Sequence, residues 1–157
     1  MAAAQARQNA FYVELGCPDT PEGRFELYSL HVALLLARLK GQGAAAAETA
    51  QALFDAFVRS LDDALRELGV GDLVVPKRMK KIGAAFYGRA RSYEQALGRL
   101  PDVTELHALL ERTLGEALGQ GERARLADYV IRAAQALAAQ PLAELLEGRA
   151  QWPAVTA

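Results

Sequence analysis

Alanine and leucine supply 56 of the 157 residues, while valine, isoleucine and threonine together supply 16. Side chains that keep rotamer freedom in a helix thus far outnumber the β-branched ones that favour strands, and an all-α protein is expected. With 52% hydrophobic and 24% charged residues the chain has apolar material for one core, which excludes disorder over most of its length. The expectation is one compact multi-helix domain over 1–157, of about six helices.

Asp19-Thr20-Pro21-Glu22 reads as a helix start. Asp or Thr can cap the free amides, Pro21 suits the first turn, and Glu22 complements the positive helix end. This helix should run to about Lys40. Phe25, Tyr28, Val32, Leu35, Leu36 and Leu39 keep helical spacing, and Leu27, Leu30 and Leu34 widen the apolar face until it covers most of the helix, so it should be central. Before it, Phe11, Tyr12 and Leu15 suit a short packing helix ending at Gly16.

A second long amphipathic helix is predicted from about Ala44 to Leu68, and a third from Pro76, with Met79, Ile82, Phe86, Ala90, Tyr93 and Leu97 along one side. Further packing helices are expected at about Asp102 to Leu118, Glu122 to Ala139 and, after Pro141, in a short tail to about 148.

Little in the chain suggests catalysis. His31 and His107 stand 76 positions apart, and neither has the neighbouring His, Cys or carboxylate of a metal motif. His31, between Leu30 and Val32, reads as a hydrogen-bonded structural histidine with a partner contact as the alternative. Cys17 is the single cysteine and so forms no internal disulfide; an inert buried thiol is expected of it. Gly69-Val70-Gly71 lacks the strand and the length of a phosphate loop. No enzyme, metal or cofactor is therefore expected. The first ten residues lack the apolar stretch of a secretory signal, and Leu27 to Leu39 is too short and too interrupted to span a bilayer, so a cytoplasmic location is expected.

Charge is distributed unevenly. Between Pro76 and Arg99 stand Lys77, Arg78, Lys80, Lys81, Arg89, Arg91 and Arg99 against one acid, Glu94, while the remainder holds 11 basic and 18 acidic residues. At about 100° per residue Lys77, Lys80, Lys81 and Arg91 fall opposite the apolar stripe, with Tyr87 beside them and Arg78 and Arg89 on the other flank. Phe86 should pack and Tyr87 should be free to bind. Gly88 falls nearly opposite the stripe, where glycine costs about 1 kcal/mol against alanine, so close approach by another chain is expected there. A binding surface is one reading and a solvated charged face the other.

Three blocks carry a resemblance. Pro18-Asp19-Thr20-Pro21-Glu22-Gly23-Arg24-Phe25-Glu26 with Leu30-His31-Val32, then Leu65-Arg66-Glu67-Leu68-Gly69-Val70-Gly71-Asp72, then Val75-Pro76-Lys77-Arg78-Met79-Lys80-Lys81 with Ala85-Phe86-Tyr87-Gly88-Arg89, resemble the motifs of the ubiquinol-cytochrome c chaperone family in order and spacing over residues 18–100. The resemblance implies a non-enzymatic, all-helical assembly factor of the respiratory chain. Its client would be newly made cytochrome b, and its product the ubiquinol-cytochrome c reductase complex. It also implies a ribosome or membrane-surface contact and a small helper subunit as further partners.

The first residues resemble no mitochondrial transit peptide, so a bacterial form is expected, peripheral at the cytoplasmic face of the inner membrane. On this reading Lys77, Arg78, Lys80, Lys81, Tyr87, Gly88, Arg89 and Arg91 bind the partner. Asp19, Thr20, Arg24, Glu26 and His31 serve either structure or binding, Asp19 being a candidate helix cap. The alternative left open is a nucleic-acid-binding helical domain whose basic helix, 76–99, contacts phosphates.

Overall fold

The computed structural model describes residues 1–115 and 118–155, and helices are its only regular elements there. In chain order they are α1 (Ala2–Ala6), α2 (Asn9–Val13), α3 (Pro21–Leu39), α4 (Ala44–Glu67), α5 (Val75–Leu97), α6 (Thr104–Leu114), α7 (Gln120–Ala139) and α8 (Leu142–Leu146).

α3 is central, as its all-round apolar surface requires. It packs against α1, α4, α5, α6 and α7, and buries Leu27, Leu30, His31, Val32, Leu34, Leu35 and Leu39. Its start is fixed by two devices. The Thr20 side chain accepts a hydrogen bond from the Gly23 N–H at 3.1 Å, capping the helix, and Pro21 occupies the first turn. Asp19 is not the cap; its carboxylate accepts from Arg24 Nε at 2.6 Å instead. Gly23 lets the first turn press on the preceding loop, since a Cβ there would stand 2.1 Å from the Pro18 carbonyl oxygen.

α4 and α5 form an antiparallel pair laid along α3. Phe57 of α4 and Phe86 of α5 are buried with ring centroids 4.8 Å apart, and Tyr28 of α3 meets Phe57 edge-on at 4.8 Å. This aromatic seam joins the three long helices. On the other side α7 brings Leu126, Tyr129, Val130, Ala133 and Leu137 into the core, and Arg38 Nε at the end of α3 donates to the Leu137 carbonyl at 2.9 Å.

The elements differ from expectation in several places, α2 for one ending at Val13 and leaving Leu15 outside it. α1 is an additional helix, made of alanines with no helix-start signal and ordered by burying Ala2, Gln5 and Ala6 against α3. α6 stops at Leu114 rather than near 118, because Gly115 turns to φ 76°, a left-handed conformation that ends the helix; residues 116 and 117 of the predicted span lie outside the described residues. α7 begins at Gln120, so Gln120 and Gly121, expected to separate two helices, form its first turn.

Candidate functional site

The opening and central sequence blocks meet across the α3–α5 contact. Glu26, 6% exposed, accepts from Arg89: Nε lies 2.9 and 2.8 Å from its two oxygens and a terminal nitrogen 2.6 Å from one. Arg89 therefore sits on the flank of α5 that faces α3. It is half-buried and held in a forked ion pair. The hydrogen bond to Glu26 raises the guanidinium pKa further, so Arg89 stays charged. Tyr93, one turn on, is buried, and burial followed by the Glu26 charge pushes its hydroxyl pKa above the ordinary phenol value.

His31 lies at 0% exposure inside a chain of hydrogen bonds. Nδ1–H donates to the Leu27 carbonyl at 2.7 Å, which leaves Nε2 to accept from the Tyr129 hydroxyl at 2.8 Å; Tyr129 in turn accepts from Gln5 Nε2 at 3.0 Å. Burial lowers the His31 pKa to about 4, opposed by the Leu27 hydrogen bond. The ring is thus neutral, enclosed and held from both nitrogens, and presents no edge to a partner. His107 is half-buried on α6 and takes no part in this chain of bonds. Cys17 is buried, and burial pushes its thiol up to about 12.

The remaining candidates lie on the outer side of the helix pair. Lys77, Arg78, Lys80, Lys81 and Arg91 are exposed, as are Ala84 and Gly88 between them, so α5 presents cations above and below a low strip of small residues. No atom lies within 4 Å of where a Gly88 Cβ would stand, so nothing packed against it within the chain calls for glycine. Phe86 is buried at 0% exposure, whereas Tyr87 is 61% exposed. Tyr87 is nevertheless positioned: its ring centroid is 5.4 Å from that of Phe54.

Phe54 and Tyr87 form one wall of a groove of about 500 Å³ floored by Ala33, Leu36, Ala37, Ala50 and Ala90. The Lys40–Glu94 salt bridge, 2.6 Å, lies on its edge. Small side chains under an aromatic wall leave room for an apolar helix or side chain of a partner. A second cleft of about 480 Å³ lies between the N-terminal helices, the start of α3 and the end of α4, with Arg7, Tyr12, Arg24 and Tyr28 on its walls. Asp19, Thr20 and Arg24 are thus drawn into the structure at that end, Arg24 both paired with Asp19 and stacked 5.8 Å over the Tyr12 ring.

Phe54 escaped the sequence reading, since it belongs to an apolar stripe whose period does not say which member is left at the rim. Glu26 stood among the motif candidates, but its pairing with Arg89 shows only once α5 is placed beside it. Among the described residues no group of three or more His, Cys, Asp or Glu could hold a metal ion, and no helix is long and apolar enough to cross a membrane.

Comparison with known proteins agrees with the motif blocks. The family model of the ubiquinol-cytochrome C chaperone matches residues 13–152, and so takes in the helices after Pro101 as well. The structure is similar to that of the Cbp3 homolog from Brucella abortus, with 39% identity and a TM-score of 0.89 over 98% of this chain and 85% of that one. No curated protein matches the chain. By a family match over most of its length and a fold shared with a relative of substantial identity, the chain belongs to the ubiquinol-cytochrome c chaperone family.

Proposed function

We propose that this protein binds newly made cytochrome b and escorts it into the ubiquinol-cytochrome c reductase complex, acting through non-covalent capture rather than catalysis. The observation that carries the reading is the pairing of an open, alanine-floored groove with an exposed aromatic wall and a strip of cations on the adjacent helix face. A membrane protein caught before insertion offers apolar helical segments that need cover, and loops whose charge a basic face can meet. The chaperone works as a peripheral protein at the membrane face where such a client is inserted. Tyr87, Gly88 and Arg91 lie on the client side; Arg89, with Glu26, holds α5 in register on α3.

The test is capture of cytochrome b, identified by mass spectrometry, on tagged protein in detergent extracts. Tyr87→Ser and Gly88→Leu should each lower capture about tenfold while leaving the melting temperature within a few degrees, because neither position is enclosed. Equal capture by both variants and the parent would remove this surface from the proposal. Recovery of RNA in place of cytochrome b would favour a phosphate-binding role for the basic helix.

A further inference from the structure

We infer that the tip of the α4–α5 hairpin docks on an anionic phospholipid surface, with Leu73 and Val74 reaching past the headgroups and the first two turns of α5 lying against them. This deepens the membrane-face part of the reading above and rests on it.

The turn carries apolar side chains that the protein leaves open to solvent. Leu73 is 97% exposed and Val74 46%, while Leu68, 64% exposed, also lines the cleft at the end of α4. A solvated turn has no use for Leu73 and Val74 at its tip, and water disfavours both. Lys77, Arg78, Lys80 and Lys81 begin within a turn of Leu73 and Val74. None of these four is ion-paired with a described residue, whereas Arg24, Lys40, Arg66, Arg89 and Arg99 all are.

Near the turn Arg66 pairs with Asp62, at 2.6 Å, and with Asp72. Asp63 and Glu67, exposed and outside these ion pairs, stand on α4, the other helix from the four cations. Part of the turn's backbone is paired within it. Gly69 N–H donates to Arg66 O at 2.9 Å, Val70 N–H to Leu65 O at 3.0 Å and Val74 N–H to Gly71 O at 2.8 Å, so these donors stay paired where water is scarce.

Apolar side chains at a tip with unpaired cations one turn behind them match the layering of a bilayer surface, where anionic headgroups lie outside the acyl boundary. A nucleic acid would use the cations but offers nothing for Leu73. A protein partner would not require the charge and the apolar tip in that order.

Vesicle flotation with the full chain tests the inference, comparing phosphatidylcholine alone with phosphatidylcholine containing phosphatidylglycerol. The protein should float with the anionic vesicles only, and less so as salt rises. Leu73→Ser should weaken flotation about tenfold, and Lys77→Glu with Lys80→Glu and Lys81→Glu should abolish it, all with unchanged circular dichroism and melting because the side chains are exposed.

The inference is overturned if Leu73→Ser floats like the parent, if neutral vesicles bind equally well, or if single-stranded RNA is bound and the lysine changes abolish that binding while Leu73→Ser leaves flotation intact. Cytochrome b capture in detergent separates the two proposals. Leu73→Ser should retain capture while losing flotation, and a parallel loss of both would make the tip a client contact and overturn the lipid assignment.

Discussion

His31 shows how a motif residue can be structural without being inert. Both ring nitrogens are engaged, Nδ1 with the Leu27 carbonyl and Nε2 with the Tyr129 hydroxyl, so a proton added at Nε2 meets a hydroxyl already turned towards it. Its folded pKa of about 4 lies below the ordinary 6.5, so the unfolded chain takes up the proton first. The stability of the neutral ring is complete above about pH 6.5 and is lost as pH falls towards 4, by roughly 2 to 3 kcal/mol between about pH 7 and 4.5. Urea unfolding of the parent and of His31→Gln should therefore converge by that amount over the same interval, the carboxylates that titrate there being common to both proteins. Parallel curves would refute the neutral assignment. Arg89 poses the complementary case. Its partner Glu26 is almost completely buried, whereas the Arg89 side chain retains 29% exposure. Removing the cation therefore strands the more buried charge. Arg89→Met should cost about 3 kcal/mol and Glu26→Gln about 1 to 2, in chemical denaturation. Equal costs would mean that the pair is solvated.

At the scale of the element, α5 separates two neighbouring aromatics. The 3.6-residue period turns Phe86 inward against Phe57 and leaves Tyr87 at the groove wall. Phe86→Ala should destabilise by about 3 to 5 kcal/mol, since its ring is enclosed between Phe54 and Phe57, with thermal unfolding as the measurement. A loss below about 1 kcal/mol would mean that the seam collapses around the cavity. That much was legible because long amphipathic helices state their own inward face. The ends and the short helices were less so. Ala2 to Ala6 has no cap or polar face to mark it, and is helical only because α3 is there to bury it. Thr20 and Asp19 are equal as cap candidates in sequence, and the geometry alone gives the cap to Thr20 and the Arg24 pair to Asp19. Gly23 is legible only in hindsight, because its reason is the Pro18 carbonyl and not its own helix. The basic strip was readable from composition, whereas the carboxylate that Arg89 meets on α3 was not.

Across the whole molecule, the two ends of the chain close over the buried core from one side. Trp152 lies edge-on to His31 with centroids 4.9 Å apart. The segment carrying it is fastened at several points: the Gln140 side-chain amide donates to Arg149 O at 2.6 Å, its carbonyl accepts from Gln151 N–H at 3.0 Å, Arg132 donates to Ala154 O at 3.1 Å, and Ala150 N–H points at the Met1 sulfur at 3.1 Å. The C-terminal segment thus covers a histidine that belongs to the opening motif more than a hundred positions earlier, and couples residues 149–154 to the central helix. Trp152→Ala should cost about 2 to 3 kcal/mol, less than truncating a fully enclosed ring because Trp152 is only partly buried. It should also change the titration. With the ring gone, water reaches His31, the penalty on its charged form shrinks, and its pKa rises from about 4 towards 6.5. Proton NMR of the imidazole Cε1–H against pH measures this directly in the folded protein, with Trp152→Phe, which keeps an aromatic lid, expected to stay near the parent. An unchanged His31 titration in Trp152→Ala, with the protein still folded, would show that α1 and α7 suffice to exclude water and that the C-terminal segment has no part in it.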